Sequence, residues 1–141
     1  MIYCVIGTEQ GSEIVLSNGK RHWSRKQSSD VMELICREYA VDFNGSRRVC
    51  ADLLQIRQKP PVCLSLTHHT LFFPTTGIDN VQCDWINYEH IRSIKERGKD
   101  RTKIVFRNGT SRTVSASFRV VKRQINRCDV LSKRNIELWK I

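Results

Sequence analysis

The stretch from Lys59 to Ile94 constrains the fold more than any other part of this chain. It opens on Pro60-Pro61, runs as Val62-Cys63-Leu64-Ser65-Leu66, breaks at Thr67-His68-His69-Thr70 and resumes as Leu71-Phe72-Phe73-Pro74. After Thr75-Thr76-Gly77 and Asp79-Asn80 come Val81, Trp85, Ile86, Ile91 and Ile94. Short runs rich in β-branched and aromatic residues, bounded by Pro, Gly, Asn and Asp, are strand signals. Val62, Leu64 and Leu66 alternate with period two, as a strand buried on one face requires and a helix does not. The reading is a hairpin with His68-His69 near its tip, followed by further strands that complete the core sheet. A Trp among strands is normally core, which is the expectation for Trp85 and Trp23.

A chain of 141 residues is one domain's worth and on folding buries roughly 68–70% of its unfolded surface. Its hydrophobic share of 40% supports a real core rather than disorder. We therefore expect one domain over 1–141, with an N-terminal hairpin and helices over 1–58 and a central and C-terminal sheet plus helix over 59–134. No apolar run approaches a membrane span. Met1–Ile6 lacks the basic start and long apolar middle of a signal peptide and reads as strand, so the expected location is cytoplasmic. Cys4, Cys36, Cys50, Cys63, Cys83 and Cys128 are scattered with no C-x-x-C pair, and His22, His68, His69 and His90 show no ligand spacing with them. Buried free thiols are expected, with no metal and no cofactor.

In chain order, Gly7–Ser12 reads as a loop after the first strand. Glu13–Ser17 and Lys20–Trp23 flank Asn18-Gly19, a hairpin signal of the type I′ kind. Ser28-Ser29-Asp30 begins a helix, Asp30 and Glu33 having capping-box spacing. Val31, Leu34, Ile35 and Tyr39 form its expected buried stripe, and Asn44-Gly45 its expected stop. Ser46–Leu54 reads as a second short helix burying Val49, Leu53 and Cys50. Past the central stretch, Ile91–Lys95 and Thr102–Phe106 are strands joined by the polar loop Glu96–Arg101. A second Asn-Gly, at Asn108-Gly109, turns the chain into Ser111–Val114. Ser115–Ser117 caps a last helix with Phe118, Val121, Ile125 and Cys128 at helical spacing. No internal repeat is visible. The fold class is α+β, a mainly antiparallel sheet with an N-terminal helical segment and a basic C-terminal amphipathic helix.

Net charge is +10, and a strongly basic domain often meets a polyanion, either nucleic acid or an acidic membrane face. Charge alone does not choose between them. The last helix sorts Arg119, Lys122, Arg123, Asn126 and Arg127 onto the face opposite its apolar stripe. Arg37 and Arg47-Arg48 lie outside the apolar stripes upstream. Lys20, Arg21, Arg107 and Arg112 flank the two Asn-Gly turns, where a basic hairpin tip is able to enter a groove. A solvated face, or an edge strand protected by charge, gives the same pattern. His68-His69 has no paired nucleophile, carboxylate dyad or phosphate-cradling loop beside it, so enzymatic activity is not expected.

The central stretch and its flanks resemble the ComK family of bacterial competence transcription factors. The likeness rests on Lys59-Pro60-Pro61, Leu71-Phe72-Phe73-Pro74-Thr75, Cys83 with Trp85-Ile86, His90, and Phe106-Arg107-Asn108-Gly109, with a looser upstream match at Cys36-Arg37, Gly45, Arg47 and Arg48. It covers about Ile2 to Cys128. The resemblance implies a sequence-selective activator that binds A·T-rich boxes of double-stranded DNA mainly through the minor groove, as an oligomer, and assists RNA polymerase at competence promoters. This chain departs from the pattern by ending at Ile141, where better-known members continue through a C-terminal extension. DNA binding therefore carries over more directly than self-association or polymerase activation. Two other readings use the same residues: a pleckstrin-homology-like module for anionic lipid or peptide, and an inactive short paralogue that modulates a full-length regulator.

Overall fold

The computed structural model describes residues 1–135 and 137–141. Three strands, β1 (Ile2–Thr8), β2 (Gly11–Leu16) and β3 (Arg21–Ser24), lead into helices α1 (Ser28–Glu38) and α2 (Phe43–Leu54). β4 (Val62–Ser65), β5 (Thr70–Pro74) and β6 (Trp85–Asn87) follow, then β7 (Ile91–Glu96), β8 (Thr102–Phe106), β9 (Ser111–Val114) and α3 (Phe118–Ser132). One sheet has six strands in the order β3-β2-β1-β6-β5-β4, the other three in the order β7-β8-β9, and the pairings are antiparallel. The α+β expectation holds, and so does the central hairpin: Val62 pairs with Phe72 across β4 and β5, with His68-His69 exposed in the turn.

The middle of the larger sheet is buried on both faces, which explains why its strands read as unbroken apolar runs. Cys4 of β1 faces Ile86 of β6 across the ladder, and the next pair, Val5 with Trp85, points to the opposite side. On one side Leu71, Phe73 and Ile86 pack with Ile104, Phe106 and Val114 of the smaller sheet and Val121, Cys128 and Leu131 of α3. On the other, Val5, Phe72 and Trp85 pack with Val31, Met32, Ile35 and Cys36 of α1 and Phe43 of α2. Trp85 is fully buried, edge-on to Phe43 with ring centroids 5.6 Å apart. Burial of each such large side chain stabilises the fold by about 1.5–3 kcal/mol. The one-face alternation expected for Val62, Leu64 and Leu66 describes only the rim, since Leu66 lies exposed in the turn.

Several local expectations are corrected. Gly7–Ser12 is not a loop; β1 and β2 pair down to Thr8 and Gly11, leaving only Glu9-Gln10 at the turn. The N-cap of α1 is Gln27, which makes no side-chain capping bond, so Asp30 and Glu33 form no capping box. Val31 and Ile35 of its expected stripe are buried, joined by Met32 and Cys36, whereas Leu34 and Tyr39 are exposed. Asn44-Gly45 does not stop α1 but opens α2, where the Asp42 side chain accepts from Gly45 N at 2.7 Å. The actual stop is Ala40 at φ 57°, with Ala40 N donating to Arg37 O and Val41 N to Cys36 O. Gln55 ends α2 in the same way. Both are Schellman caps built on a residue other than glycine. Within α2, Phe43 and Cys50 are buried whereas Val49 and Leu53 are exposed. Trp23 is 50% exposed on the edge strand β3 and is not core.

The structure also contains an internal repeat that residue identity conceals. β1-β2-β3-α1 and β7-β8-β9-α3 share one register. The pairs Ser12 with Ser24, Glu13 with Trp23, Ile14 with His22 and Val15 with Arg21 correspond one for one to Thr102 with Val114, Lys103 with Thr113, Ile104 with Arg112 and Val105 with Ser111. Each unit carries a bulge at the start of its first strand, between Ile2 and Cys4 and between Ile91 and Ser93. Each helix starts from a matching N-cap backbone, φ −64° ψ 154° at Gln27 and φ −64° ψ 155° at Ser117. The two Asn-Gly hairpins are the same turn. In both, glycine alone takes positive φ (Gly19 at 85°, Gly109 at 89°), and the Asn side chain accepts from the backbone N of Lys20 or Thr110 at 2.9 Å. This is a type I turn followed by a left-handed glycine, not the expected type I′.

Candidate nucleic-acid interface

Ser117 sets the start of α3, its hydroxyl accepting from Val120 N at 3.2 Å. From that start the helical period turns Val121, Gln124, Cys128 and Leu131 into the core and leaves Arg119, Lys122, Arg123 and Asn126 exposed. Among the described residues none of these three cations is in an ion pair. Lys122 sits with Nζ 6.0 Å from the Phe118 ring centroid.

Arg127 does not belong with that set. Half-buried, it donates from Nη1 to Gln58 O at 3.1 Å and to Gln124 Oε1 at 3.0 Å. Burial, reinforced by the neighbouring Arg123, holds its guanidinium below the usual range. Gln124 is 1% exposed and donates from Nε2 to Lys59 O at 2.9 Å and Pro74 O at 2.7 Å. Gln124 thus clamps α3 onto the chain on either side of the β4–β5 hairpin, and Arg127 braces the clamp. Sequence reasoning missed Gln124 because it is polar. The signal was its spacing, three residues after Val121 and four before Cys128, squarely within the apolar stripe.

The two like turns are brought together. Asn108 Nδ2 donates to Ser17 O at 2.9 Å, setting the tip of β8–β9 beside the tip of β2–β3. Lys20, Arg21 and Arg107 are exposed around this junction. Arg112 is half-buried and bridges from β9 to Glu13 of β2, which also stands 3.8 Å from Arg21 Nε. Arg112 therefore ties the two sheets together, and Arg21 is partly neutralised.

Arg37, Arg47 and Arg48 are not gathered with either group. Arg37 is exposed on α1, across the larger sheet from α3, in a shallow depression shared with Lys26, Asp30 and Glu33. Arg48 is exposed on α2. Arg47 is half-buried, with its guanidinium 5.4 Å from the Phe43 ring centroid and Nε enclosed without a partner; burial lowers its pKa. The polar loop after β7 carries more exposed cations than these upstream arginines: Lys95, Arg97, Lys99 and Arg101, on β7 and its turn into β8.

No group of three or more His, Cys, Asp or Glu side chains among the described residues is arranged to hold a metal ion, and no helix is long and apolar enough to cross a membrane. Burial pushes the thiols up, Cys4 to about 12 and Cys36 and Cys50 to about 11, away from nucleophilic use. What the fold presents is an α+β body of two antiparallel sheets and three helices with unpaired cations on its surface. A family model described as ComK protein matches residues 2–137, nearly the whole chain, and the chain belongs to the ComK family. That family is one of competence-related transcription factors and not of enzymes. No curated protein and no solved structure matches the chain.

Proposed function

We propose that this protein is a sequence-selective DNA-binding activator of competence genes, acting in the cytoplasm on A·T-rich boxes mainly through the minor groove. Family membership supplies the class of function. The observation that carries the DNA reading is the exposed face of α3, where among the described residues Arg119, Lys122 and Arg123 are in no ion pair and Asn126 offers an amide beside them. Lysine and arginine that neutralise phosphates release condensed counterions, which supplies sequence-independent affinity. A·T tracts have a narrow minor groove with deepened negative potential, which draws in arginine, and contacts there read width rather than a full base code. The joined turns around Lys20, Arg21 and Arg107 are a second candidate for entering that groove. Self-association and contact with RNA polymerase follow from the same family reading.

Charge reversal at Arg119 and Arg123 together tests the α3 face. Both side chains are exposed, so the fold should persist, with circular dichroism and Tm unchanged. Affinity for A·T-rich duplex should fall at least tenfold. Undiminished affinity would remove α3 from the interface. Pelleting of the wild-type protein with anionic vesicles, without any duplex binding, would favour the lipid-binding alternative.

A further inference from the structure

From Lys95 to Lys103, around the end of the β7–β8 hairpin, every second residue is a cation: Lys95, Arg97, Lys99, Arg101 and Lys103. The structure makes this a ribbon. Lys95 and Lys103 are direct register partners, and Arg97 N donates to Arg101 O at 3.0 Å, which closes the turn with Lys99 at its tip. The first four are exposed and Lys103 is half-buried. The two acids, Glu96 and Asp100, occupy the intervening positions, and Glu96 pairs with the buried Thr102 on the other side of the ladder. Among the described residues none of the five cations is in an ion pair.

Like charges placed directly opposite one another destabilise a strand pair. The fold does not require them here, because the equivalent register pair in the first copy of the repeat is Ile6 with Glu13. The second copy also has the longer connection, Arg97–Arg101 in place of Glu9-Gln10. A self-repelling row that the topology can do without points to an anionic ligand that relieves it. We propose that the β7–β8 ribbon is a phosphate-backbone contact of this protein, gripping duplex DNA without reading its sequence. This inference rests on the DNA-binding reading above and adds a contact surface to it. Lysine and arginine on phosphate oxygens fix position and affinity but carry no sequence information directly. The tip, Arg97-Gly98-Lys99-Asp100-Arg101, has no apolar side chain to insert into a bilayer, which favours nucleic acid over a membrane surface.

The test compares the full chain with its Lys95→Gln, Arg97→Gln, Lys99→Gln, Arg101→Gln variant, measuring Kd for A·T-rich and G·C-rich duplexes over a salt series. The log–log salt slope should fall by about 3–4 units, since each phosphate contact contributes roughly 0.9. Affinity should drop by the same factor on both duplexes, and Tm should hold or rise as the repulsion goes. Should the fourfold variant misfold, Arg97→Gln with Arg101→Gln in the exposed turn should lower the slope by about 2. An unchanged slope, or a loss confined to the A·T-rich duplex, would overturn the ribbon while leaving DNA binding in place. A wild-type protein that binds no duplex even at low salt would overturn both.

Discussion

Asp84 shows how one side chain sets a measurable property. It is buried at the start of β6, where its Oδ1 accepts from Gly7 N at 2.9 Å, and burial pushes its carboxyl up to about 7 against that stabilising N–H. The folded chain then holds a proton that the unfolded chain, at an ordinary carboxylate pKa, has already released. Stability therefore falls as pH rises from about 4 to about 7, and the full cost remains above that window. Asp84→Asn keeps an acceptor for Gly7 N and removes the titration. We expect urea midpoints of the variant to lose this fall and the variant to be the more stable protein at pH 7.5. A wild-type midpoint that instead climbs across the window because of Asp84 would contradict the assignment. Gly7 itself has no room for a side chain: a Cβ there would lie 2.5 Å from Val81 O and 2.6 Å from Cys83 O. That close approach is what brings the Asp84 carboxylate onto the Gly7 amide.

At the scale of elements, the parts legible in the sequence were those whose signal is local. Both Asn-Gly hairpins, the central β4–β5 hairpin and the Ser117 cap of α3 follow from turn and capping chemistry within a few residues. The helix stops at Ala40 and Gln55 are hidden in the sequence because the left-handed position carries no glycine, and the nearest Asn-Gly, which resembles a stop, lies in the first turn of α2. The exposed α3 face was legible from periodicity, but the loss of Arg127 from it was not. That loss depends on Gln58, a residue distant in the chain, and on Gln124 supplying acceptors. The repeat was invisible because it lives in register and bulge position, with little identity outside Ile14-Val15 and Ile104-Val105 and the two Asn-Gly pairs. The Gln124 clamp gives a prediction at this scale. Gln124→Leu keeps the volume but strips Lys59 O and Pro74 O of their donor. Each buried acceptor left unpaired costs about 1–3 kcal/mol, so chemical denaturation should report a loss of at least about 2 kcal/mol. A loss below 0.5 kcal/mol, on the order of an ordinary surface change, would show that the clamp is dispensable.

For the whole molecule, the six-stranded sheet acts as a partition. α1 and Phe43 of α2 cover one side, while α3, the three-stranded sheet and Cys50 of α2 cover the other. The cations proposed for DNA belong to α3, to the β7–β8 ribbon and to the joined hairpin tips, all built from or linked to the second copy of the repeat. The first copy and α2 hold Arg37 and Arg47, one among acids and the other over an aromatic ring.

The most direct test of the account is a salt titration of wild-type binding to an A·T-rich duplex with a G·C-rich duplex as competitor. A log–log slope of several units, with the A·T-rich duplex retained over its competitor at every salt concentration, is the expected result. A flat response to salt, or equal affinity for the two duplexes, would contradict it.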